Sequence, residues 1–169
     1  ISSMKTLLCA LLLTATLGCQ SGSARVEQLF GGPEAMAALR APDSTQAWRT
    51  TAKFAVKEGA ETKGKLADYV ILNGPVPVKE SISTAIAGLL KKDIYEWNMA
   101  KGCEPIPGVA IEYTKGGDKL LIFFCFECDI LLTYLNSKHV GGEDFDRIHR
   151  ALANEVKKIF PDDPAIQKL

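Results

Sequence analysis

"GVAIEYTKGGDKLLIFF", residues 108–124, decides how this chain folds. Val109, Ile111 and Tyr113 alternate with Ala110, Glu112 and Thr114, the two-residue period of a strand. Gly116 and Gly117 supply the positive φ of a two-residue hairpin turn, and a second strand begins at Asp118. With Lys115 across the turn from Asp118, Tyr113 meets Leu120, Ile111 meets Ile122 and Val109 meets Phe124. Every one of those rungs is apolar, so the register is self-consistent. Leu121, Phe123 and Cys125 make the other face of the second strand apolar as well, which predicts a central strand covered on both sides.

Working outward, "DILLTYL" adds a strand or continues this one past a bend, and "NSKHVGG" turns the chain. Residues 33–40 are expected to be helical, with Pro33 suiting a first helical position behind Gly31 and Gly32. "TQAWRTTAKFAV" at 45–56 reads as a strand and 57–65 as a loop. "DYVILN" is a strand stopped by "GPVPV", whose prolines lack the N–H a ladder needs. In "VKESISTAIAGLLKK", Ile82, Ile86, Leu89 and Leu90 recur at helical spacing. The last helix carries the stripe Phe145, Ile148, Leu152, Val156, Ile159 and Phe160, with Glu143, Asp144 and Asp146 at its start and "PDDP" at its end. This order predicts an α+β domain: an antiparallel sheet built round a central hairpin at about 108–127, with two to three helices packed on it.

Extended downward, the hairpin register sets Cys125 opposite Gly108 and Cys128 opposite Pro105, so Cys103 enters beside the same end and three sulfurs become neighbours. Residues three apart on a strand point to opposite faces, so Cys125 and Cys128 share a centre only if the strand breaks near Phe126 or Glu127. Four readings follow. One is a structural disulfide of Cys103 with Cys125 or Cys128, plus a free buried thiol. Others are a zinc site with His139 as fourth ligand, a redox-active CxxC, and plain buried thiols. The acidic run 141–146 is explained by helix capping, and His149 reads as a helix-surface residue. Trp48 and Trp97 read as core or edge aromatics.

The N-terminus has the form of an export signal: Met4 and Lys5, the apolar run "TLLCALLLTATL", then "LGCQ" at 17–20. That run is shorter than the roughly 20 residues needed to span a bilayer. "TLGC" resembles the lipobox of bacterial lipoproteins, with Thr16 where leucine is usual and Leu17 one place late. The resemblance implies cleavage after residue 18, lipidation of Cys19 and attachment to the membrane through acyl chains. Gln20 in place of aspartate fits outer-membrane sorting. The organisation expected is a signal peptide at 1–18, a lipidated N-terminus and tether at 19–32 and one domain at 33–169.

"KGCEPIPGVAIEY", "CFECD", "VGGEDFD" and "FPDDPAIQKL" together resemble a family of uncharacterised bacterial exported proteins and lipoproteins, over roughly residues 68–169. The resemblance implies that Cys103, Cys125 and Cys128 belong to a shared pattern, and it carries over no catalytic residue.

Lys plus Arg equals Asp plus Glu at 20 each. That balance argues against a nucleic-acid partner and against a polybasic membrane patch. No GxSxG, HExxH, phosphate-binding GxxxxGK or GxGxxG is present. The reading is a non-enzymatic envelope protein, periplasmic or at the cell surface, that meets an envelope partner and needs no cofactor. Zinc, or thiol redox chemistry at the three cysteines, is the alternative.

Overall fold

The computed structural model describes residues 22–169. The signal segment and the Cys19 lipidation expected from the sequence lie outside the described residues. Elements follow in the order α1 (Gly22–Phe30), α2 (Pro33–Arg40), β1 (Ser44–Thr51), β2 (Lys65–Leu66), β3 (Tyr69–Pro77), α3 (Glu80–Leu90), β4 (Val109–Lys115), β5 (Asp118–Cys125), β6 (Ile130–Leu135), β7 (Lys138–Asp144) and α4 (His149–Ile159). Short 3-10 turns stand at 53–55, 146–148 and 166–168. The seven strands form one antiparallel sheet in the order β2-β3-β1-β4-β5-β6-β7.

The architecture is α+β, as expected, but the sheet is larger than a hairpin core and four α-helices accompany it. The hairpin register is the expected one at every rung: Lys115 faces Asp118, Tyr113 faces Leu120, Ile111 faces Ile122 and Val109 faces Phe124. Of the two turn glycines, Gly116 alone takes a positive φ (+58°). Strand β5 lies between β4 and β6, and Leu120 through Cys125 are all buried.

Burial on both faces has two separate causes. Ile111, Tyr113, Leu120, Ile122 and Phe124 join the main core beneath the helices, with Phe30, Leu39, Ile86, Leu152 and Val156. The stripe expected on the last helix is buried throughout, from Phe145 to Phe160. On the opposite face Trp48, Ala110, Leu121, Phe123 and Tyr134 form a second cluster. Tyr69 of β3 reaches Phe123 of β5 at 4.7 Å between ring centroids, although β1 and β4 separate their strands. The sheet therefore curls towards this face, and the curl closes the second cluster.

Three local expectations are corrected. β3 runs through both prolines to Pro77. The Val78 amide donates to Thr45 of β1 at 2.9 Å, so alternation turns the nitrogens of Pro75 and Pro77 to the opposite, unladdered edge. The "NSKHVGG" stretch turns only at Asn136–Ser137, both with positive φ, and then becomes β7. Glu143 and Asp144 consequently lie in a strand; the helix begins only at His149.

The segment expected as a tether carries helix α1, whose Val26, Leu29 and Phe30 are buried. Gly31 and Gly32, at φ +102° and +110°, end it. Their amides return to the carbonyls of Gln28 (3.1 Å) and Glu27 (2.9 Å), the paired bonds of a Schellman motif.

Candidate functional site

Residues 91–108 link α3 to β4 without a helix or strand. This strap passes the end of β7 and the β5–β6 turn, and four kinds of contact hold it. Tyr95 is buried and donates its hydroxyl to the Leu90 carbonyl at 2.8 Å. Glu96 pairs with Arg147 at 3.3 Å. Lys101 Nζ donates to the Cys128 carbonyl at 2.7 Å and to Asp146 Oδ2 at 2.5 Å. Cys103 is joined to Cys128 as a disulfide, with Cα atoms 6.4 Å apart and a sequence separation of 25.

The strand breaks where a shared centre would require: β5 ends at Cys125 and the chain turns over 126–129. The hairpin ladder does not extend down to the cysteines. Gly108 still donates to Phe124 at 3.0 Å, but its carbonyl and that of Pro107 turn to β1, accepting from the Thr50 amide at 3.2 Å and the Thr50 hydroxyl at 2.7 Å. Arg49 Nη1 also donates to the Gly108 carbonyl. Cys103 thus reaches Cys128 through an irregular strap.

Cys125 is a buried free thiol. Strand alternation puts it with Leu121 and Phe123 on the second face. Tyr69 is its neighbour there, and the Tyr69 hydroxyl is pushed up to about 12, first by burial and then by Tyr134, Asp68, Cys125 and Glu104. His139 is not brought to the sulfurs. It pairs with Tyr134 near the far end of the β6–β7 hairpin, their rings 5.1 Å apart, whereas Cys125 faces Ile130 at the near end. Among the described residues no group of three or more His, Cys, Asp or Glu is arranged to hold a metal ion.

Sequence reasoning missed two features of this end. His149 is half-buried and its Nδ1 meets Asp129 Oδ1 at 2.5 Å, with the Phe126 ring edge-on at 5.6 Å. Asp129 holds positive φ (+55°), and its carbonyl accepts from the Phe145 amide at 2.7 Å. The pair therefore fastens the β5–β6 turn to the start of α4. Its only sequence signal was Asp129 directly after the cysteine motif. The second feature is Asp144, which is 4% exposed, with Oδ1 lacking a partner among the described residues. Burial raises its pKa, and neighbouring Asp146 adds to the rise. Asp146 moves the other way: burial would raise it, but the Lys101 hydrogen bond and charge prevail and lower it.

Trp48 is 7% exposed in the second cluster, and Trp97 packs partly buried on the main core under Arg25, which lies 5.9 Å from the ring centroid. No described helix is long and apolar enough to cross a membrane.

In chemical terms the site is a cross-linked junction. It fixes a long irregular strap against a sheet end and leaves one protected thiol, and so defines a disulfide-linked α+β domain. No protein-family model, curated protein or solved structure matches the chain.

Proposed function

We propose that the chain is an exported, lipid-anchored cell-envelope protein that acts by contact with other envelope components rather than by catalysis, its disulfide bracing the strap beside the hairpin. The observation carrying this reading is the pairing of Cys103 with Cys128. Disulfides persist in oxidising compartments outside the cytosol, and an export signal is what the "LGCQ" segment resembles. The outer membrane, facing the periplasm or the surface, is the proposed site. The resemblance to exported bacterial proteins agrees with this.

The thiol-redox alternative has one observation in its favour: Cys103 is exposed, so a reductant could reach the pair. Zinc would need sulfurs that the disulfide already uses.

The test expresses the full chain in a Gram-negative host supplied with a labelled fatty acid. Label incorporated into the wild type, lost in Cys19→Ser, and recovered in the outer-membrane fraction is expected. An unlabelled chain in the cytosol with reduced cysteines would overturn the proposal. Reduction of an insulin-type disulfide by the purified chain, abolished in Cys128→Ser, would transfer the role to thiol exchange.

A further inference from the structure

The strap is fastened unevenly. Upstream, Lys101 grips the β5–β6 turn through the Cys128 carbonyl and Asp146; downstream, Thr50 of β1 holds the carbonyls of Pro107 and Gly108. Between these anchors, residues 102–106 make no hydrogen bond or ion pair to the rest of the described fold, and the Cys103–Cys128 bond is their one fixed link to it. Pro105 and Ile106 are half-buried, so the stretch lies against the body of the domain. Cutting the cross-link therefore frees a short flap whose two ends stay anchored, a local opening rather than loss of the fold.

The flap lies beside the third sulfur. β5 ends at Cys125, which is nonetheless 0% exposed. Ile130 of β6 stands on one side of it. On the other, where β4 would continue, Pro107 and Gly108 turn to β1 and the flap leads into them. Cys125 and Glu104 both act on the Tyr69 hydroxyl, so the residue after Cys103 and the free thiol share one neighbourhood.

The two sulfurs of the bond are not equivalent. Cys103 is exposed and Cys128 half-buried, so a thiolate in solution reaches Cys103 first. The Lys101 ammonium, 2.7 Å from the Cys128 carbonyl, favours negative charge on Cys128 as the leaving group. The attacking sulfur bonds to Cys103 Sγ, the Cys103–Cys128 bond breaks, and its electron pair leaves on Cys128 Sγ, which takes a proton from water. The second thiol of a dithiol then displaces Cys103. Two electrons and, through water, two protons pass from the dithiol to the chain.

We infer that the Cys103–Cys128 bond is a redox-operated catch: a dithiol protein opens it by attack at Cys103, the 102–106 flap lifts, and Cys125 is unmasked. The inference rests on the disulfide pairing that carries the proposed function, and it adds the regulation of that pair.

The test uses the chain from Gln20 onward, which holds every described element of the fold, isolated without reductant and kept in native buffer. Alkylation of Cys125 is followed by peptide mass before and after dithiothreitol, with hydrogen exchange at 109–124 as the check that the sheet stays folded. Reduction is expected to speed Cys125 alkylation about tenfold or more while 109–124 stays protected. The double variant Cys103→Ser with Cys128→Ser should alkylate at the reduced rate without any reductant. A thioredoxin whose resolving cysteine is replaced by serine should be trapped on Cys103. An intact pair that resists dithiothreitol without denaturant would overturn the inference, as would a Cys125 rate that reduction leaves unchanged or that rises only as 109–124 loses protection. Capture of the thioredoxin on Cys128 would overturn the entry at Cys103. These results leave the disulfide itself standing, whereas three alkylatable thiols before reduction would remove the pairing and the catch together.

Discussion

Cys103 and Cys128 are joined across 25 residues of sequence, and the chain between them contains the whole β4–β5 hairpin. The cross-link therefore closes a loop around the central strand pair and pins the strap that enters it.

Closing a loop of that length removes unfolded-chain entropy equivalent to about 3 to 4 kcal/mol. Cys103→Ala and Cys128→Ala should each lower stability by about that amount in urea without reductant. The double variant should lose no more than either single one, because both remove the same bond. Losses that add would show that the two sulfurs act separately.

Arg49 of β1 donates through Nε to Asp163 Oδ2 at 2.7 Å, tying the closing turn to the sheet. Burial opposes ionisation of Asp163, but the hydrogen bond from Arg49 and the amides of Ile166 and Ala165 outweigh it and lower its pKa. A carboxyl lowered on folding contributes stability above its unfolded pKa, about 3.9, and that stability is lost as pH falls through the folded value. Asp163→Asn should reduce stability at pH 7 and converge on the wild type at the acid end of a urea titration. A difference that does not depend on pH would assign the effect to packing.

Gly141 admits no side chain, since a Cβ there would stand 2.6 Å from the Leu29 carbonyl. Gly141→Ala should push α1 off β7 at a cost of about 1 to 3 kcal/mol, seen as a lower melting temperature and faster proteolysis within 22–30. Gly117→Ala, with nothing within 4 Å, is the control and should leave α1 protected.

Phe124 is fully buried and meets the rings of Phe126 and Phe145. Phe124→Ala should cost about 3 to 5 kcal/mol. Phe54, 62% exposed, should tolerate alanine within about 0.5 kcal/mol. Equal losses at both positions would contradict the core assignment.

The hairpin was legible because apolar pairing and a glycine turn specify one register, and β5 was legible as central because both its faces are apolar. The prolines of β3 misled because a proline is excluded only from the laddered side of a strand, and nothing local says which side that is. β7 was obscured by Gly141 and Gly142, which read as a turn. Gly141 in fact answers to the Leu29 carbonyl, a contact 112 residues away in sequence. The same approach explains why α1 looked like a tether: its short apolar face, Val26, Leu29 and Phe30, has meaning only once β6 and β7 stand beneath it. For the site, Cys103 was expected near Cys128 from a hairpin register extended past its real end at Val109–Phe124; the irregular strap makes that approach, and the choice of Cys128 over Cys125 depended on the break after Cys125, which frees Cys128 from the strand. The Asp129–His149 pair joins a turn to a helix start and leaves no periodic signal.

The most direct measurement is the thiol count of the chain from Gln20 onward, isolated without reductant, alkylated in denaturant and weighed intact, then digested to map the cross-link. One alkylated cysteine, Cys125, and a Cys103–Cys128 peptide pair, rising to three alkylated cysteines after reduction, is the predicted result. Three alkylated cysteines before reduction, or a cross-link that includes Cys125, would contradict the account.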